Sequence, residues 1–267
     1  MAVLTLSRDM GSGGQEIGLL AANSLGYGFL DRERLIARVK EAGHKWDKWS
    51  EGMDERTPRA WERYDWTYRA FVAMVQSAMI KEAVSDRALI MGRGGNFLLK
   101  GVPFALRVRV VASLEQRIAR VSGREGIDED SARRLIETTD RERAGFLLTV
   151  YGKDGKDPAD YDLHLDTTLV SIERIAAQLS VSLSEMDRLV DEKAVKELQM
   201  RGLAYDIKAR LFTGLPFFMP TLDVEFDGEA ICVRGVVRLP KERALVVQEA
   251  GRVAGKTPLK FELRYRK

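Results

Sequence analysis

AVLTLSRDMGSGGQEIGLLAANSLG, residues 2–26, is the stretch on which the fold turns. Residues 2–7 are apolar and β-prone enough for a buried strand. The run after Gly14 places Ile17, Leu20, Ala21 and Leu25 on one face of a helix. Between them, Gly11, Ser12, Gly13 and Gly14 put three glycines into four positions. Glycine permits positive φ and lets backbone N–H groups close on an anion, here at the positive end of the helix that follows. The predicted geometry is a strand, an amide-lined turn and a helix, able to hold a phosphate.

A complete loop of the G-x-x-x-x-G-K-[ST] type adds a lysine for the outer phosphates and a hydroxyl for magnesium. With Gly13 as its second glycine, Arg8 falls at the first glycine, Gly14 at the lysine and Gln15 at the hydroxyl. Three of the four anchors are lost, and a turn of this kind is as often a tight turn with no ligand. Arg8 is the candidate for the missing charge, although an arginine does not follow a moving phosphate with lysine's freedom.

The 267 residues allow one large or two ordinary domains, and 31% charged with 45% hydrophobic residues is the balance of a globular chain. The sequence has no apolar run of bilayer length, and its start reads as a strand, so a cytoplasmic location is expected. One cysteine, Cys232, excludes an internal disulfide and a cysteine metal cluster, and His44 and His164 leave little for zinc. No set of metal ligands is predicted, and His164 reads as structural. Residues 1–184 hold 27 basic and 27 acidic side chains, so the net charge of +3 lies wholly in 185–267. That excess is too small to predict nucleic-acid binding.

Strands and helices alternate to about residue 180. A short strand at 27–30 ends at Asp31, and a polar stretch carrying Trp46, Trp49, Trp61 and Trp66 leads to a helix over about 59–84. Strand 88–92 runs into the turn GRGG, strand 105–112 into a helix from Leu114, and a second charged helix covers about 129–148. A loop at 152–158 precedes strand LHLDT and helix SIERIAAQLS. The order implies an α/β fold, a mainly parallel sheet flanked by helices with its crevice at the strands' carboxyl ends, where Asp31, Arg93 and the glycine loop lie. Arg117, Arg120 and Arg124 share one face of the helix from Leu114 and form a candidate cationic wall.

Taken in order, SRDMGSGGQEIG (7–18), YGFLDRE (27–33), LIMGRGGNFLL (89–99), residues 108–147 and YDLHLDTTLVSIERI (161–175) resemble the cytidylate kinase-like family of P-loop proteins. The resemblance covers about residues 1–180 and implies a nucleoside monophosphate kinase fold, ATP with Mg2+ as donor and a pyrimidine monophosphate as acceptor. It gives Gly11, Ser12, Gly13, Gly14, Gln15, Arg117 and Arg120 to the cofactor. Arg93, the arginine of a G-R-D turn, would clamp the acceptor phosphate, with Gly94 in place of the aspartate. Asp31, Asp140 and Arg143 join it on the acceptor. Asp140 and Arg143 match a lid motif in which Thr139 replaces an arginine and Arg141 is a possible substitute. Arg8, Arg141 and Arg143 are the residues implied for catalysis, and Asp166, Thr167 and Thr168 echo the last strand end.

From about residue 185 the pattern changes. A helix at 185–202 and the apolar turn GLPFFMP lead to strand LDVEF, a turn at Asp227–Gly228, strand ICVRGVVRL, a helix over 241–254 and strand LKFELRYRK. This order weakly resembles a BON domain. Two domains are expected, a P-loop kinase-like one at 1–184 and a small α+β one at 185–267, the latter binding a protein or small ligand. The function expected is an ATP-dependent phosphotransferase acting on nucleotides. The alternative is a weak or inactive nucleotide-binding module whose output passes through the C-terminal domain.

Overall fold

A computed structural model describes residues 2–41, 57–59, 61–85 and 87–266. His44, Trp46 and Trp49 lie outside the described residues. The expected α/β architecture is present. β1 (Val3–Arg8), β2 (Gly28–Leu30), β3 (Ala88–Met91), β4 (Ala105–Val111) and β5 (Leu163–Asp166) form one parallel sheet in the order β2-β3-β1-β4-β5. β1 is central, and Val3, Leu4 and Leu6 are fully buried, as a strand covered on both faces requires.

One face of the sheet is covered by α1 (Gly14–Leu25) and α7 (Ile172–Met186). Ile17 and Ala21 of α1 and Ile175, Leu179 and Leu183 of α7 pack with Leu4, Leu6, Leu89, Val108 and Val110. Each large aliphatic side chain so buried contributes about 1.5–3 kcal/mol. α2 (Arg32–Glu41) follows β2, α4 (Gly95–Leu98) follows β3, and α5 (Leu114–Glu125) follows β4. α5 pairs with α6 (Glu129–Tyr151) through Ile118, Val121, Ala132 and Ile136. Ser113, Asp128 and Ser171 cap α5, α6 and α7 by accepting first-turn amides, which fixes where each helix begins.

A second compact unit contains Glu192–Lys267 and Arg59–Val84, and also residues 35–41, the greater part of α2. The expected 185–267 module is therefore not the whole of that unit. Its other helices are α3 (Trp66–Ser85), α8 (Glu192–Gly214) and α9 (Pro240–Ala254), and its sheet is β6 (Asp223–Phe226), β7 (Ile231–Val237) and β8 (Leu259–Tyr265), with β6-β7 antiparallel and β7-β8 parallel. The strand–turn–strand–helix–strand order is the one read from the sequence. α3 starts seven residues later than expected because Asp65 accepts the Thr67 amide at 2.8 Å and sets the helix entry there. α8 starts at Glu192 because a single 3-10 turn, Asp187–Leu189, breaks the chain after α7. α3 packs against α8 at Gly202, where an added Cβ would meet Ile80 at 3.0 Å. Lys81 reaches Asp206 at 2.7 Å, and Trp66 sets its ring edge on Phe212 and Phe218. No helix of the described residues is long and apolar enough to cross a membrane.

Candidate active site

The site lies at the carboxyl ends of β1, β3 and β4. β1 ends in Arg8 and Asp9, and the chain passes through Gly11 (φ 77°) and Gly13 (φ 82°) into α1. Both glycines stand where a side chain would be strained. Gly13 occupies the N-cap of α1 and makes no side-chain cap bond to its first-turn amides. Ser12 is fully buried, its amide and hydroxyl both donating to the Asp9 carbonyl.

The loop is gripped from α5, α6 and the end of β5. Arg117 donates to the Met10 carbonyl at 3.3 Å, Arg120 to the Gly11 carbonyl at 3.4 Å and the Thr167 hydroxyl to the Ser12 carbonyl at 2.8 Å. Asp140 accepts the Met10 amide at 2.8 Å and pairs with Arg117, while Arg120 also donates to Thr167 Oγ1 at 2.7 Å.

Two cavities open here. The larger, about 1010 Å3, runs along the glycine loop and α1 past Gln15, Asp31, Arg120 and Arg124. The smaller, about 340 Å3, is lined by Arg109, Arg117, Asp140 and Lys156 among others. Arg8, Asp9, Arg93 and Arg143 line both. These four residues form the wall at which a group held in one cavity meets a group held in the other. The smaller cavity carries six cationic side chains (Arg8, Arg93, Arg109, Arg117, Arg143, Lys156) against Asp9, Asp140 and Asp154. That excess suits an anion.

Arg8 takes an unusual course. A Cβ built on Gly14 would lie 2.6 Å from Arg8 Cβ, and one built on Gly92 would lie 2.3 Å from Arg8 Nη1. The base of the arginine covers the position where the loop motif has lysine, and its guanidinium lies at the β3 turn. In that turn Gly92, Arg93 and Gly94 all have positive φ, and Arg93 (φ 52°) is held by a bond from Nη1 to the Met91 carbonyl at 2.7 Å. It is 4% exposed. Gly94 is explained by Tyr151, the last residue of α6: a Cβ there would meet Tyr151 Cε2 at 2.1 Å, and the Tyr151 hydroxyl donates to the Arg93 carbonyl at 2.8 Å. The tyrosine ring fills the space of the missing aspartate. A Gly94→Asp variant is expected to lose about 2–4 kcal/mol of stability from overpacking and backbone strain. Thermal melts should show the loss, and adding Tyr151→Ala should return part of it.

Of the residues singled out in the sequence, Arg143 lies in the shared wall with Nη1 3.5 Å from the Arg8 carbonyl, and Asp31 accepts the Arg34 amide at the start of α2 while lining the larger cavity. Arg117 and Arg120 are brought to the loop, but through its carbonyls. Arg141 is not brought in: it is exposed, its guanidinium 3.5 Å from Thr138 Oγ1, and it lines neither cavity. One helical turn of 3.6 residues puts Arg141 and Arg143 on different faces of α6, and only the second faces the loop. Thr168 takes a bond from the Ser113 amide, and Asp166 from the Thr168 amide, so both brace the strand ends. His164 is exposed and sits edge-on to Tyr161.

Asp9, Arg109, Tyr151 and Lys156 were not singled out. The signal for Asp9 was available, as an acidic residue directly after an apolar strand, whereas Arg109 alternates with Arg107 inside β4 and had no such mark. Arg109 donates to Asp9 at 2.6 Å. Burial pushes the Asp9 carboxyl above its usual range, against the pull of Arg109, and Asp140 adds to the rise. With the folded value raised, ionised Asp9 weakens the fold as pH rises through that value and ceases to do so below the ordinary carboxylate range.

Among solved structures, an uncharacterized protein from Eubacterium ventriosum ATCC 27560 shares 16% identity with a TM-score of 0.56, over 69% of this chain and 98% of that one, a likeness of fold. A cytidylate kinase of Thermoplasma acidophilum is 31% identical over 106 residues, 39% of this chain and 56% of that protein. One from Methanopyrus kandleri is 41% identical over 71 residues, 26% of this chain and 37% of that protein. The chain thus spans about half the length, or less, of these curated relatives. The sequence profile of the cytidylate kinase-like family matches residues 3–169, more than half of the chain and the whole of the loop, turn and α6 described above, and the protein belongs to that family.

Proposed function

We propose that the protein is an ATP-dependent phosphotransferase of the nucleoside monophosphate kinase type, with the larger cavity as donor site and the smaller as acceptor site. The observation that carries this reading is the shared wall of Arg8, Asp9, Arg93 and Arg143 between the glycine loop and a cationic cavity. ATP with Mg2+ supplies the phosphoryl group and part of the charge neutralisation. The donor set fits the triphosphate, since the first-turn amides of α1 and the positive-φ glycines suit phosphate oxygens. No group of three His, Cys, Asp or Glu that could hold a metal is found among the described residues, so the ion would be held chiefly by phosphate oxygens and water, with Asp9, Gln15, Glu16, Asp31, Glu33 and Glu125 the oxygen-bearing side chains that line the cleft.

In this reading the protein aligns two anions and balances charge as it moves between them. Arg93 and Arg143 hold the acceptor phosphate, Arg8 faces the transferred group from β1, and Asp31 borders the donor side. The acceptor is a nucleoside monophosphate or a similar small phosphate. Filling of the aspartate's space by Tyr151 removes one contact available for choosing cytosine. A ligand- or partner-binding role for the C-terminal unit rests only on the weak resemblance of the sequence from about residue 185 to a BON domain.

Titration calorimetry with ATP·Mg and with CMP, UMP and dCMP, followed by ADP release with each acceptor, tests the proposal. Binding of ATP with acceptor-dependent ADP formation is expected. No binding of any nucleoside triphosphate at millimolar concentration would overturn it, and binding without turnover would leave an inactive nucleotide module.

A further inference from the structure

The carbonyls of the glycine loop are all accounted for. Asp9 accepts from Ser12 and Gly13 from Ile17, both within the loop and helix start, but Met10, Gly11 and Ser12 each accept from a side chain delivered by another element. The amides of Gly11, Gly13 and Gly14 make no such backbone bond among the described residues. A peptide unit whose carbonyl is pulled one way presents its N–H the other way. The captures of Met10 and Ser12 therefore fix the direction of the Gly11 and Gly13 amides, while the peptide after Gly11 turns its Ser12 amide onto the Asp9 carbonyl.

We propose that Arg117, Arg120 and Thr167 are positioning residues of the donor site: they fix three successive loop carbonyls, so that the loop offers its Gly11 and Gly13 amides to phosphate without a loop lysine. Thr167 is the keystone. It is 5% exposed, donates to the Ser12 carbonyl and accepts from Arg120, and its own amide is tied to the Val111 carbonyl at 3.0 Å. Of the two carbonyls near its hydroxyl, that of Ser12 at 2.8 Å is the closer, with Val111 at 3.5 Å. Arg120 spends its guanidinium on Thr167, the Gly11 carbonyl and Gln116, leaving the phosphates to the backbone. Arg117 is likewise spent on Met10 and Asp140. Two arginines assigned by resemblance to the cofactor act on it through the loop.

The inference rests on the donor-site reading, and two readouts separate them. The first is amide hydrogen exchange of the peptide spanning residues 8–17 in the free protein; the second is affinity for inorganic tripolyphosphate by calorimetry. Thr167→Val keeps the shape, the Arg120 charge and the Arg117 charge but lacks the hydroxyl. It is expected to speed exchange in 8–17 and to weaken tripolyphosphate about tenfold or more, as loss of a buried hydrogen-bonded group does. Thr167→Ser is expected to restore both. Direct contact of Arg120 with phosphate predicts no loss in Thr167→Val, and unchanged exchange and affinity would overturn the proposal. Faster exchange in a protein whose wild type binds no tripolyphosphate would uphold the positioning role and sink the donor-site reading. Should Thr167→Val fail to fold, Arg120→Lys serves, because a lysine keeps the charge without bridging Thr167 and Gly11; wild-type exchange and affinity there overturn the idea equally.

Discussion

A chain ended at Asp191 is expected to aggregate, although the sequence breaks pattern close to that point. The cause is α3. Tyr68, Ala70, Phe71, Ala73, Val75, Met79, Ile80 and Ala83 are all buried, on more than one face of the helix. Its partner is α8, with Gly202 against Ile80, Asp206 taking Ser77 and Lys81, and Phe212 under Trp66. Removing residues 192–267 strips that cover and leaves an apolar helix in the middle of the chain. At about 1.5–3 kcal/mol for each large side chain returned to water, the loss reaches several kcal/mol, comparable with the whole stability of a domain. Size-exclusion chromatography and a thermal melt of the truncated chain check this. A monodisperse product with a cooperative transition would show that residues 1–191 hold α3 by themselves, and that the two-domain border expected at 184/185 is a true border.

Arg93→Lys is expected to lower kcat/KM for the acceptor by about 30- to 300-fold while ATP affinity stays within about threefold, as for loss of a charge-assisted pair of donors. Arg93 is buried at the turn between β3 and α4 with one Nη on the Met91 carbonyl, which fixes the direction of its guanidinium. A lysine keeps the charge but offers one rotating point of it. Steady-state kinetics with each substrate varied, beside a melting curve to show that the variant folds, decide the matter. Equal loss toward both substrates, or toward neither, would remove Arg93 from the acceptor site.

Much of this was legible in the sequence, and the reasons differ by element. β1, the glycine loop and α1 could be read because a buried central strand is apolar throughout and a helix with one covered face shows its period. The sheet order could not, since nothing local says which parallel strands are neighbours. The roles of Arg117 and Arg120 were half legible. Their spacing on one face of α5 brought them to the loop, but whether a guanidinium meets phosphate or carbonyl depends on β5, whose Thr167 lies forty-seven residues beyond Arg120. Tyr151 was hidden for the same reason: its hydroxyl reaches Arg93 across fifty-eight residues, and its ring explains the neighbouring Gly94. The start of α3 was missed because Asp65 caps it from within a run of helix-forming residues. The membership of α3 in the C-terminal unit carries no local mark, because a helix buried on most of its surface has no period to read.

The meeting of Arg8 with Gly14 bears on how such a loop can change. With Arg8 Cβ 2.6 Å from the place of a Gly14 Cβ, any side chain at 14 collides while residue 8 keeps its own, and shortening residue 8 first surrenders the cation. Each step alone is worse than either end state, so the two positions are strongly non-additive. Because the contact is made by the Cβ that every residue but glycine carries, a lysine at 14 is expected to need glycine at 8 in the same protein. Single-site libraries at position 14 would never find the lysine loop, whereas a library of both positions could, and the order of mutations rather than their number sets what the loop can become.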